Sequence, residues 1–435
     1  LKAPIFAVLA RTTLIAASPP FRQRIQMTDT QALTGVRVLD LTRVLAGPFC
    51  GQILGDLGAE VIKIERPGVG DDGRMYGFSQ LKDKDGNPTR ESAFYLTANR
   101  NKKSLTVNLS KPEGQELIRK LVAECDVLIE NYKVGNLKRY GLDYDSLKDI
   151  NPKLIYCSIT GYGQTGPMAP RPGYDGLFQA MGGLMAVTGI PEGQPGAGPL
   201  KAGPSLVDVF TGHNAALSIL GALNQRHSTG KGQFIDVALL DCSIAMVSHI
   251  MQDYLVSGNA PPRLGNGGNG GGPADLVNCA DGIVYITAGT DEHWRLLCEL
   301  MERPDLFVDP RFDTNPKRGA NRNELIAIIN QWTMGWKTAD FLHALDNLGI
   351  PAARYNGLAD VWEDEQVQHR NLKVTIPHPV SGEVSLIGSP LAHMSGSPMR
   401  YQAPPMIGQH SDEILSDLLK LSAEDIQALR ETGIV

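Results

Sequence analysis

The sequence predicts an α/β protein: a doubly wound, mostly parallel sheet joined to a smaller α+β unit. Three observations predict it. Short apolar runs alternate with longer amphipathic stretches between residues 36 and 160. Gly or Pro punctuates most of the changes from one to the other. The texture then changes after a glycine-dense segment at 258–273, beyond which helical patterns cluster and strands become sparse.

The elements follow in order. Residues 36–42 read as a strand, and Gly47-Pro48 opens a helix through 57, with Pro near the first helical position. Gly58 ends that helix and 60–65 is the next strand, completing one βαβ unit. Strands are expected at 104–109, 126–130, 154–159 and 234–238. Helices are expected at 112–123, 144–150, 174–185, 211–226 and 242–256. Beyond the glycine-dense segment, 283–287 reads as a strand, and 293–301, 322–332 and 338–348 as helices. The expected division is an N-terminal extension at 1–30, a large domain from 31 to 224 and a small domain at 225–330. Residues 331–435 hold further small-domain elements and a return to the large domain.

Composition narrows the function classes. At 435 residues the chain is long enough for more than one core. Its 42% hydrophobic and 20% charged residues are the balance of a globular enzyme. A net charge of −6 argues against nucleic acid as partner, which needs clustered cations to displace counterions. No run of about 18 apolar residues marks a membrane span. The six cysteines contain no C-x-x-C pair and read as buried free thiols in a reducing compartment. The expected location is the cytoplasm. Residues 1–26 contain no acid and four basic residues, the composition of a mitochondrial transit peptide, which would place the protein in the matrix. The other reading is that Met27 is an ordinary start.

Several candidate residues stand out. The first strand-to-helix turn, Thr42-Arg-Val-Leu-Ala-Gly-Pro48, lies where a doubly wound sheet binds ligands, but it is not G-x-G-x-x-G. Gly265-Asn-Gly-Gly-Asn-Gly-Gly-Gly272 is either a linker or a lid with unblocked N–H groups. Asp208 precedes the helix expected from Thr211 and locally reads as a helix cap. Asp175 in Gly173-Tyr-Asp175 poses the same question. No Ser/His/Asp triad, G-x-S-x-G elbow or zinc-binding spacing is legible, and no metal is expected.

Taken together, several ordered stretches resemble the family III coenzyme A transferases, the group that contains formyl-CoA transferase. They are Leu33-Thr-Gly-Val-Arg-Val-Leu-Asp-Leu-Thr42, Ala46-Gly-Pro48, Leu57-Gly-Ala-Glu-Val-Ile-Lys-Ile-Glu65 and Asn99-Arg-Asn-Lys-Lys-Ser104. Asp126-Val-Leu-Ile-Glu-Asn131, Gly161-Tyr-Gly163, Thr229-Gly-Lys-Gly232, Gly408-Gln-His410 and Glu413-Ile-Leu415 continue the series. The resemblance implies a Rossmann-like large domain, a small domain and a homodimer of interlinked chains. It implies Asp208 as a nucleophile that forms an aspartyl anhydride and then an aspartyl-CoA thioester. Gly270, Gly271 and Gly272 would belong to a mobile loop covering that intermediate, and Asn269 interrupts the glycine run. Ala46, Asn131, Tyr132 and Arg139 match CoA-contacting positions, and Asp175 an acidic active-site position. Coenzyme A enters as a thioester substrate, with no permanently bound cofactor.

The chain departs from the formyl-CoA transferase pattern in the first turn. His-Val-Gln-Ala there is Arg43-Val-Leu-Ala46 here, so Leu45 replaces a glutamine that gates the small substrate, and Pro67 replaces an arginine. Arg43 is either a charge for a second carboxylate or half of a structural ion pair. The favoured reaction is CoA transfer from succinyl-CoA to a dicarboxylate. A racemase of α-methylacyl-CoA esters, which needs an Asp–His base pair, and a non-enzymatic acyl-CoA-binding scaffold are the alternatives.

Overall fold

A computed structural model of the chain describes residues 30–268 and 271–435. The leader-like segment at 1–26 and Gly270 lie outside the described residues. Six parallel strands form the main sheet: β1 (Arg37–Asp40), β2 (Glu60–Glu65), β3 (Lys102–Thr106), β4 (Val127–Glu130), β5 (Ile155–Thr160) and β6 (Gln233–Ala238). Their order is β3-β2-β1-β4-β5-β6, so the winding reverses direction between β1 and β4.

Helices cover both faces, and the strands are accordingly apolar on both sides. Val38 on β1 faces α1 (Ala46–Asp56), where Cys50 and Leu54 lie in the same core. Leu39, one residue on, faces the opposite core, which includes Leu117, Ile118 and Leu121 of α2 (Pro112–Ala123). Each such buried aliphatic side chain contributes about 1.5–3 kcal/mol. α3 (Asp175–Met181) leads to α4 (Leu206–Thr229), which packs along α1 and the sheet. α4 is long and apolar enough to cross a membrane by length and composition, but Ala215, Ala216, Ile219 and Leu223 are spent on the internal core.

α5 (Leu239–Met246) and α6 (Ser248–Ser257) take the place of the single helix expected at 242–256. The smaller unit is an antiparallel sheet of β7 (Ala274–Cys279), β8 (Gly282–Thr287) and β9 (Ala352–Arg354). Its separate core packs these strands against α7 (Asp291–Leu300), α8 (Arg322–Thr333) and α9 (Thr338–Asn347), around Trp294, Phe312 and Phe341. The chain then returns to the large sheet: Ile414, Leu415 and Ile426, the last on α10 (Ala423–Glu431), join the α2-side core.

Two expectations are corrected. The boundary expected between 224 and 225 falls inside α4, and β6 beyond it pairs in register with β5 in the large sheet. A 3.6-residue pattern continuing to 229 shows where a helix ends, not which sheet receives the next strand. Asp208 is the third residue of α4, not a residue ahead of it. The helix begins early because its first N–H groups find an acceptor far away in sequence.

Candidate active site

The site grows from the turn that follows β1. Thr42 donates both its N–H and its hydroxyl to Asp40 Oδ1, at 2.9 and 2.5 Å. Asp40 Oδ2 is paired with Lys102 at 2.9 Å, and Lys102 also donates to the Pro48 carbonyl at 2.7 Å. Burial lowers the Lys102 ammonium to about 8, against the pull of Asp40. Gly47 lies so close to Thr42 that a β-carbon there would stand 2.4 Å from the threonine side chain.

Beneath the turn, Lys63 and Asp71 form a fully buried pair at 2.6 Å. Lys63 also donates to the Thr42 carbonyl at 3.0 Å. Asp71 Oδ1 accepts the N–H of Val44 at 3.0 Å and of Gly73 at 2.8 Å. Burial pushes the Asp71 carboxyl up, but Lys63 and these N–H groups outweigh it and hold it below its ordinary value. Asn131 grips the next residue from above, accepting the Arg43 N–H at 2.9 Å and donating to its carbonyl at 2.7 Å. The Arg43 guanidinium is paired with Asp72 at 3.0 Å and lies 5.0 Å from the centre of the Tyr132 ring.

Asp208 is placed by a second acid. Asp175 Oδ2 accepts the N–H groups of Val207 at 2.8 Å and Asp208 at 3.2 Å, so Asp175 caps α4. Gln179 fixes Asp175 through its other oxygen at 2.6 Å. Among the described residues nothing hydrogen-bonds the Asp208 side chain. Burial, with Asp175 adding its repulsion, pushes the Asp208 carboxyl up to about 7.

These residues meet in a cleft of about 350 Å³ at the carboxyl ends of β1 and β4, where the strand order reverses. Arg43, Leu45, Ala46, Asn131, Tyr132 and Asp208 all line it. Asp175 is buried behind its wall. Arg139 is not part of it; this exposed residue stacks on Tyr140, 5.0 Å from the ring centre. Gly271 and Gly272 also lie away from this lining. Gly272 is anchored instead to the small unit, its N–H donating to Asn315 at 2.9 Å and its carbonyl accepting from buried Arg318 at 2.7 Å.

Sequence reasoning missed Arg171, Tyr174, Lys133 and Tyr76, which share the lining. Among the described residues Arg171 has no acidic partner. The only local signal was the Gly/Pro-rich loop after β5 that carries Arg171 and Tyr174. His213, the histidine nearest to Asp208 in sequence and so the one an Asp–His pair would use, is exposed on α4 with Nδ1 2.9 Å from the Val209 carbonyl and its ring against Phe49. It is not among the residues lining the cleft. A half-hidden carboxylate with unused lone pairs is suited to attack an electrophilic carbonyl. Among the described residues no group of three His, Cys, Asp or Glu side chains is arranged to hold a metal.

The sequence pattern of CoA-transferase family III matches residues 33–411. The chain belongs to CoA-transferase family III. A succinate–glutarate CoA-transferase of Agrobacterium fabrum is 42% identical over 387 residues, covering 89% of this chain and 95% of the relative. The human succinyl-CoA:glutarate CoA-transferase is 38% identical over 414 residues, covering 95% and 92%. Among solved structures, a CaiB/BaiF family protein from Brucella suis superposes with a TM-score of 0.80 at 42% identity, covering 89% of this chain and 99% of that one. A Mycobacterium tuberculosis protein gives 0.76 at 30% identity, covering 88% and 99%. As a family III CoA-transferase, the chain takes CoA thioesters as substrates and transfers the CoA group to a carboxylic acid.

Proposed function

We propose that this enzyme moves CoA from succinyl-CoA to a second dicarboxylate through a covalent intermediate on Asp208. The observation that carries the reading is the Asp208 carboxylate, half-buried in a cleft shared with Ala46, Asn131 and Tyr132 and without a hydrogen-bond partner among the described residues. In the first step an Asp208 oxygen attacks the thioester carbonyl. The carbon–sulfur bond breaks, leaving a mixed anhydride and CoA thiolate. The thiolate then attacks the aspartyl carbonyl, expels succinate and leaves CoA on Asp208 as a thioester. The acceptor carboxylate attacks that thioester, and the same two steps run backwards to give the new acyl-CoA and free Asp208. Each carboxylate and thiolate is regenerated, so no net proton is consumed.

The dicarboxylate reading is supported by the named activities of the relatives and by Arg171, a cleft cation without an acid partner among the described residues. Arg171 meets the distal carboxylate of the bound acid, while Arg43 is held by Asp72. Asn131, Tyr132 and Arg139 flank the CoA, and Gly271 and Gly272 belong to the cover over the aspartyl intermediate. The working unit is a homodimer. Large apolar side chains stand exposed on successive helices, Leu177 on α3, Leu217 on α4 and Ile244 on α5, as a partner copy would cover them.

Incubation with succinyl-CoA followed by hydroxylamine tests the covalent step. Mass spectrometry should find a hydroxamate on Asp208 in the native protein and none in Asp208→Ala. Full transfer activity in Asp208→Ala overturns the assignment. CoA transfer to monocarboxylates in preference to glutarate or succinate overturns the substrate class alone.

A further inference from the structure

Val44 is the strained point of the active-site turn. Its φ is 74°, in the left-handed region that a β-branched residue enters only when its surroundings force it there. It lines the cleft between Arg43 and Leu45, immediately before α1 begins at Ala46. No side chain caps α1, so the path of the turn alone decides how Leu45 and Ala46 face a ligand.

The hydrogen bonds identify what forces Val44. Its N–H is taken by Asp71 Oδ1 at 3.0 Å, from a segment 27 residues away in sequence. Asp71 is itself immobilised by buried Lys63, and Lys63 ties the same pair to the Thr42 carbonyl. The strained residue is therefore held from below by one ion pair, with Asn131 clamping Arg43 on the other side. Asp71 does not line the cleft that holds Asp208. Its carboxylate is fully buried, a costly arrangement for stability alone, since a well-packed apolar pair of similar size serves as well or better.

We propose that Asp71 is a positioning residue for CoA transfer: through the Val44 N–H it holds the strained turn in the shape that binds CoA and presents the thioester to Asp208. The inference rests on the reading that this cleft takes CoA. It predicts energetic coupling between Asp71 and the backbone strain at Val44, because glycine adopts the same φ without penalty.

A double-mutant cycle tests the coupling. The four proteins are the native enzyme, Asp71→Asn, Val44→Gly and the double variant. Each is measured for transfer from succinyl-CoA to glutarate and, by calorimetry, for binding of free CoA. Asp71→Asn should lower kcat/KM at least ~30-fold and weaken CoA at least ~10-fold with valine at 44. In the Val44→Gly background the same change should cost no more than ~3-fold in either. Equal losses in the two backgrounds, or no loss in Asp71→Asn, overturn the proposal. If Asp71→Asn leaves Lys63 unpaired and does not fold, Lys63→Met/Asp71→Leu removes both charges together and enters the cycle in its place. CoA binding does not depend on which acids are exchanged. A native enzyme that binds CoA but ignores glutarate therefore refutes the acid pair while the binding cycle still decides the role of Asp71.

Discussion

Asp175 accepts the backbone N–H of Asp208 at 3.2 Å, so one carboxylate caps α4 while the other lines the cleft with no hydrogen bond from any described residue. Two acids that look alike in sequence stand in different settings, one capping a helix and the other lining the cleft. The division has an electrostatic consequence. Burial, with Asp175 adding to it, raises the Asp208 carboxyl to about 7, and in the proposed mechanism the attacking form is the carboxylate. Transfer should therefore rise with pH through about 7. Asp175→Asn keeps an oxygen for the two N–H groups but removes the charge, so the acid limb of kcat/KM should move to lower pH. A pH–rate profile of the two proteins checks this; an unmoved limb sinks the coupling.

The same elevation makes Asp208 a cost to stability. Its folded value lies above the ordinary carboxylate value of 3.8, so between these two the folded state holds a proton that the unfolded state has released. Stability from this group is full below pH 3.8 and is lost as pH rises through about 7. Asp208→Asn has no charge to bury. It should melt at a higher temperature than the native protein, with the gap widening from pH 5 to pH 8, while transfer falls at least ~1000-fold. Thermal melts across that range give the sign directly, and a gap that closes as pH rises contradicts it.

How much of this was legible in the sequence follows from the range of the interactions. The β1–α1–β2 unit was readable because its signals are local: Gly47-Pro48 opens a helix and Gly58 closes it within one stretch of chain. The parallel sheet was readable from alternation alone. The start of α4 was not, because the acceptor for its first N–H groups is Asp175, 33 residues before Asp208. Local pattern reads Asp208 as a cap, and only resemblance to a family proposes it as the nucleophile. Arg43 shows the same limit. The sequence left a substrate charge and an ion pair both open, and Asp72, 29 residues on, occupies it. Arg171 carries no motif, and its place in the cleft lining, without an acidic partner among the described residues, emerges only once the loop is folded.

That difference between the two arginines predicts a difference in selectivity. Arg171→Gln should raise KM for glutarate and succinate roughly 10- to 150-fold, the scale of a charge-assisted contact of about 1.5–3 kcal/mol, and leave a monocarboxylate acceptor within about twofold. Arg43→Gln removes the pair with Asp72 and the stacking on Tyr132, which support the turn rather than one acid. It should weaken all acceptors alike. Acceptor panels on both variants decide it; equal losses for both acid classes in Arg171→Gln reject its role as reader of the distal carboxylate.

Close approach of α1 and α4 gives the last prediction. A β-carbon on Gly212 would stand 2.7 Å from the Ala46 carbonyl oxygen, 3.2 Å from Phe49 Cβ and 3.3 Å from the Cys50 nitrogen. Two of these are backbone atoms of α1, so no flexible side chain can yield, and the helices must part. Alanine gains roughly 1 kcal/mol over glycine in a helix interior, while overpacking of this kind costs about 1–3 kcal/mol. The steric term wins, and Gly212→Ala should lower the melting temperature. Gly221 provides the control on the same helix, since no atom of its own chain lies within 4 Å of its β-carbon position. Gly221→Ala should hold or raise the melting temperature. The displaced atom is the Ala46 carbonyl, in the wall of the cleft, so Gly212→Ala should also raise KM for the acyl-CoA donor several-fold, and Gly221→Ala should not. Paired melts and donor titrations separate the outcomes: a Gly212→Ala protein with lower stability but native donor KM means that α1 and α4 part without moving the turn.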